Sequence, residues 1–180
     1  MELAAAQAEL RHSFVGGGPG TIVSGAVWLI AAAVTLYTGI QTGFAALFFG
    51  GMLIFPIAAL IVRVVIKRPA PARDNPGARI VIETIFPMMG GLFAAWLMLN
   101  FRADFVFPLA AIAVGAHYFG FRSAYGDFNF WILGAAMCLV GLAGIFVQDL
   151  AIYLVPFMIA GIEIIYGIAL TFRAMASRSE

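Results

Sequence analysis

The chain has 180 residues, 63% of them hydrophobic and only 11% charged, with a mean hydropathy of +1.02. An ordinary soluble domain carries about 25% charged residues, so this composition excludes a water-soluble globular protein and makes the chain a membrane protein. The formal charge of +1 gives no reason to expect a nucleic-acid partner, and the single Cys138 excludes an intrachain disulfide or a cysteine-rich metal site.

The opening "MELAAAQAELRHSF" sets Leu3, Ala6, Leu10 and Phe14 on one helical face, which predicts a short interfacial helix. "VGGGPG" then breaks it. No strand precedes these glycines and no Gly-Lys-Ser/Thr ends them, so a phosphate loop is excluded and a flexible elbow into the membrane is expected. Residues 1–20 are therefore an amphipathic, flexible segment. Arg11 and His12 precede an apolar run, but that run is too long and lacks a small-residue cleavage pattern, so it is a retained first span rather than a signal peptide.

Runs of about 20 apolar residues match a hydrocarbon core roughly 30 Å thick. Six occur, near 21–39, 43–66, 80–99, 105–121, 129–147 and 150–172. Backbone groups in lipid must be satisfied within the protein, and these runs do not alternate as barrel strands do, so helices are expected throughout. The predicted fold is all-α: a polytopic membrane protein with six transmembrane helices in one bundle (21–172) and a tail at 173–180.

Cations decide the orientation. With six spans, Arg11, Arg63, Lys67, Arg68, Arg73, Arg79, Arg122, Arg173 and Arg178 fall on one side and Arg102 alone on the other. That is a positive-inside pattern, which places both termini in the cytoplasm. Five or seven spans would scatter the same charges over both sides. The longest loop, "KRPAPARDNPGAR", has prolines and a "DNPG" turn in place of helix signals, and its basic residues fix topology rather than recognise lipid. Trp96, Tyr37 and Tyr153 fall near the outer ends and Trp131 and Tyr125 near the inner boundary, as amphipathic rings prefer.

Small residues four apart, Gly90 with Ala94, Gly91 with Ala95 and Ala116 with Gly120, suit close helix contacts. An inverted three-plus-three repeat would pair Pro87 in "FPMMGG" with Pro156 in "VPFMIAG", about two turns into the third and sixth helices. Pro56 and Pro108 have no such counterparts, so the sequence does not carry the repeat by itself.

Glu163 is the deepest charge, nine residues, or about 13 Å, inside the last span if that span ends near Phe172. A central acid costs roughly 2.5 to 3.5 kcal/mol to insert, and it must be protonated, paired or wetted. Pro156, Ala160, Glu163 and Gly167 recur at helical spacing as a strip of small groups on which a neighbouring helix can rest, with Tyr166 beside it. Two readings stand. In one, Glu163, His117, Glu83 and Arg63 line a polar pocket open to the cytoplasm, with His117 and Glu163 exchanging a proton near neutral pH. In the other, Arg63 pairs with Glu83, His117 bonds a backbone carbonyl, and Glu163 is a neutral acid bonded to Tyr118. Arg102, Asp104 and Asp149 read as a solvated outer rim.

The chain has no paired-histidine metal motif, nucleophile elbow or aspartate cluster, so it is read as a non-enzyme with no metal or other cofactor. His12 and His117 do not make a haem site, because nothing pairs them. The ordered series "LRHSF", "GGGPG", Trp28, "IFPIA", "RDNPG", "IFPMM" and "GAHYFGF" resembles a group of small bacterial multi-pass membrane proteins known only as a domain of unknown function. The resemblance implies the bacterial cytoplasmic membrane and supplies no reaction, ligand or site. The expected function is a small-solute or proton-linked transporter, with an accessory or structural membrane protein as the alternative. Expected partners are membrane lipids and no nucleic acid; translocation through six helices of a single subunit is tight, which admits a homodimer.

Overall fold

The computed structural model describes residues 2–147 and 153–176, so Gln148, Asp149 and Arg178 lie outside the described residues. These form seven α-helices and no strand: α1 (Leu3–Ser13), α2 (Gly18–Thr38), α3 (Ile40–Leu60), α4 (Pro76–Met98), α5 (Val106–Tyr125), α6 (Asn129–Phe146) and α7 (Leu154–Ala176). All except α1 are long and apolar enough to cross a membrane.

Local chemistry sets the helix ends. Gly39, at φ 98°, separates α2 from α3. Pro56 lies inside α3, which continues through a π-turn, Ile61–Val65, before the chain turns away. The "DNPG" turn is the start of α4: Pro76 occupies the first turn, and the Asn75 carboxamide oxygen accepts from the Gly77 and Ala78 amides at 2.8 and 3.2 Å. Gly126, at φ 65°, closes α5, and Asp127 then accepts from the Asn129 amide at 3.0 Å where α6 begins. Pro156 is the third residue of α7, not two turns into it, whereas Pro87 is mid-helix in α4.

The helices pack as two layers. In one, α2 lies between α3 and α7; in the other, α5 lies between α4 and α6. Exchanging α2, α3 and α4 for α5, α6 and α7 preserves this list of neighbours, which is the packing order of a three-plus-three repeat. The layers meet through Trp28 against Phe107, Phe48 against Phe93, and Gly144 of α6 against Val155 of α7. α3 and α4 turn most of their surface outward, with Phe49, Phe55, Phe86 and Trp96 exposed. In hydrocarbon such side chains have an apolar solvent, so their exposure carries no penalty.

The segment expected to be flexible is fastened. α1 lies across one end of the bundle, here called the α1 end: Gln7 donates to the Ser123 carbonyl at 2.8 Å, Arg11 donates to the Tyr125 carbonyl, and the Ser13 carbonyl accepts from Arg63 at 2.8 Å. Glu9 accepts from the Ala72 amide and the Asn75 carboxamide at 2.9 and 2.6 Å. Of the four residues expected to share one helical face, Ala6 and Leu10 are buried, Phe14 is half-buried and Leu3 is exposed. The glycines form a buried turn rather than a hinge. Gly16 and Gly17 take φ of 65° and 81°, which glycine adopts without steric cost, and a Cβ on Gly17 would press on the Phe130 ring at 2.8 Å.

The described helices alternate in direction. The starts of α2, α4 and α6 and the ends of α3, α5 and α7 share the α1 end, as the contacts of Arg11, Arg63 and Asn75 and the Arg173–Asp127 ion pair show. Arg102 is at the opposite end, where it pairs with Asp104 at 2.7 Å.

Candidate functional site

Glu163 has no exposed surface and sits tenth in the 23-residue α7, farther from the α1 end than the sequence suggested because the helix runs on past Phe172 to Ala176. The packing around it follows from small residues on two helices. A Cβ on Gly18 would meet the Gly167 carbonyl at 2.6 Å, one on Gly25 the Ala160 carbonyl at 3.0 Å, and one on Gly167 the Ile22 amide at 2.7 Å. The Ala160, Glu163, Gly167 strip therefore rests on α2, and the backbones approach closely because no side chain separates them.

That approach brings Ser24 of α2 to the carboxyl. Ser24 donates to Oε1 of Glu163 at 2.9 Å, and Tyr118 of α5 donates to the same oxygen at 2.7 Å. Oε2 of Glu163 is buried and has no partner among the described residues. Two hydroxyls thus hold one oxygen, and the other is bare, with no ion-pair partner among the described residues. Such a group can take up or release a proton without breaking either hydrogen bond.

The other residues singled out from the sequence lie elsewhere. His117 packs edge-on to Phe121, with ring centroids 4.7 Å apart, and lies beside Tyr118 at 6.1 Å. Its Nδ1 is buried without a partner among the described residues. No hydrogen bond joins it to Glu163 among the described residues. Arg63 serves the α1 end, donating to the carbonyls of Ser13, Arg68 and Pro69 and lying 5.0 Å over the Phe14 ring. Glu83 is on the outward face of α4, exposed and away from Arg63. Tyr166 is half-buried at the edge of the core. The structure therefore unites Glu163 with Tyr118, sets His117 next to them, and leaves Arg63, Glu83 and Tyr166 apart; the four residues Glu163, His117, Glu83 and Arg63 do not line one pocket. Glu83 misses because only one face of α4 reaches α5, and Glu83 is on another.

Sequence reasoning overlooked Ser24. Its signal was available: Thr21, Ser24, Gly25, Trp28, Ala31, Ala32 and Thr35 fall at helical spacing and are all buried, a mostly small or hydroxyl-bearing face suited to a close neighbour. Among the described residues no cluster of His, Cys, Asp and Glu could hold a metal ion.

Six apolar helices in two layers, with a carboxyl buried between them, define a multi-pass membrane protein. Residues 3–173 match the model of a family described as a family of unknown function, DUF7010, and the chain belongs to that family. No curated protein and no solved structure matches the chain.

Proposed function

We propose that this chain is a small proton-linked transporter or permeation protein of the bacterial cytoplasmic membrane, with the α1 end in the cytoplasm and Glu163 as the proton-carrying group. One observation carries the reading. A fully buried carboxyl with a bare oxygen sits at the seam between the two layers, held by Ser24 from its own layer and Tyr118 from the other. An ionisable group inside a membrane is costly and is by default a functional one. Its proton occupancy changes the strength of the Tyr118 bond, because a carboxylate accepts more strongly than a neutral acid. Protonation and the fit between layers are thereby coupled.

Two further features support this. The two-layer packing order follows that of transporters built from inverted repeats, in which the site lies at the repeat interface. Arg11, Arg63, Lys67, Arg68, Arg73, Arg79, Arg122 and Arg173 gather at the α1 end with Arg102 opposite, which favours the stated orientation. His117, with its bare Nδ1 beside Tyr118, is the second proton-capable group. A homodimer completes the reading, since six helices leave little room for a path and α3 and α4 present outward flanks.

The test is proton flux in proteoliposomes under an imposed pH gradient. Wild type should dissipate the gradient, and Glu163→Gln should abolish this while its helical content and melting stay near wild type. A second reading, an accessory membrane protein, draws on the same bonds, which tie α2, α5 and α7 together and leave Glu163 with no exposed surface. It expects no flux from either protein and co-purification with a larger complex.

A further inference from the structure

At the α1 end, the last turns of α1 and α7, the chain just beyond the π-turn and the corner between α5 and α6 enclose a cleft of about 530 Å³. Among the described residues, Arg11, His12, Arg68 and Arg173 line it together with one acid, Asp127. Asp127 accepts through Oδ1 from the amide and the carboxamide of Asn129 at 3.0 and 2.6 Å, and its Oδ2 makes a long ion pair, 3.7 Å, with Arg173 inside the cleft. Arg11 spends one N–H on the neutral Tyr125 carbonyl, and Arg68 lies 3.1 Å from His12 Nδ1. Arg173 is mostly exposed, at 61% of its side chain.

We propose that this cleft binds a phosphate-bearing anion at the inner face of the membrane, with Arg11 and Arg173 as its principal ligands. The guanidinium fork matches two phosphate oxygens at once, and two forks come here from helices far apart in sequence. The carbonyl ends of α1 and α7 disfavour an anion within their last turns, and the arginine charges have to outweigh them. The exposed Lys67, Arg73 and Arg79 are not among the described residues that line it. The phosphate can belong to an anionic lipid headgroup or to a soluble phosphate compound. Neither depends on the transport reading, because Glu163 takes no part.

The experiment is native mass spectrometry of the full chain in detergent with phosphatidylglycerol and phosphatidylcholine in competition, alongside thermal unfolding with inorganic phosphate. Wild type should retain phosphatidylglycerol at least tenfold over phosphatidylcholine, or gain several degrees of melting temperature with phosphate. The first result assigns a lipid and the second a soluble phosphate ligand. Arg11→Gln and Arg173→Gln should each remove most of the effect, while Lys67→Gln leaves it intact. If Arg11→Gln does not fold because the Tyr125 carbonyl loses its donor, Arg173→Gln decides alone. Equal retention of both lipids with no phosphate effect, or an Arg173→Gln protein indistinguishable from wild type, overturns the proposal.

Discussion

Tyr118 of α5 and Glu163 of α7 are joined by a 2.7 Å hydrogen bond that crosses from one three-helix layer to the other, in a region neither side chain shares with solvent. Removing the donor with Tyr118→Phe should cost about 0.6 to 1.7 kcal/mol, the range of hydrogen bonds between membrane helices. Glu163→Ala should cost more, about 2 to 4 kcal/mol, because it strands the Ser24 and Tyr118 hydroxyls and opens a cavity. Glu163→Gln should stay within about 1 kcal/mol of wild type, since an unpartnered amide replaces an unpartnered oxygen. Unfolding in a graded denaturing detergent ranks the three; Gln behaving like Ala would mean that the second oxygen has a partner.

The glycines divide into two groups with opposite expectations. Gly167→Ala and Gly18→Ala thrust a methyl group against backbone atoms of the facing helix and should each lose about 1 to 3 kcal/mol. Gly51, Gly90 and Gly161 have nothing within 4 Å of an added Cβ, and alanine there should be neutral or stabilising by up to about 1 kcal/mol. Melting temperatures of the five variants suffice as a check. A loss at Gly90 would point to a neighbour packed on that face of α4.

Asn75 performs two tasks, capping α4 through Oδ1 and donating through Nδ2 to the Ala6 carbonyl at 3.1 Å and to Glu9. Asn75→Ala should destabilise the protein by at least the 0.5 to 2 kcal/mol typical of a lost cap. It should also loosen α1. Limited proteolysis ought to cut within Leu3–Ser13 faster in the variant than in wild type; an unchanged cleavage rate would show that Arg11 and Gln7 hold the helix unaided.

Orientation can be read with single cysteines placed in a Cys138→Ser background. A membrane-impermeant maleimide should label Asn100→Cys on intact spheroplasts, and Asp74→Cys only after permeabilisation. Labelling of Asp74→Cys on intact cells would invert the topology and move the basic cleft to the outer face.

The six spans were legible because hydropathy run length is a property of each segment alone. Expected limits of 21–39 and 129–147 became Gly18–Thr38 and Asn129–Phe146, and the slips at the start of α4 and the ends of α5 and α7 arose where Pro76, Arg122 and Arg173 belong to helices that extend beyond the apolar run. Which helix neighbours which was not legible. Lipid and protein interior are both apolar, so α3 carries no stripe to mark its buried face. The link between Glu163 and Tyr118 was foreseen as the structural alternative, but Ser24 was missed because a lone serine in an apolar run carries no charge to draw notice. Arg63 and Glu83 were grouped with Glu163 by depth; depth fixes height along the bilayer but not rotation about the helix axis.

The seating of α1 bears on the order of assembly. Its anchors are Asn75, Ser123 and Tyr125, residues translated long after it, and Leu10 fills a space walled in part by Gly77 and the Ala124 carbonyl. α1 must therefore wait outside the unfinished protein until the fifth helix has been threaded, and then latch it shut.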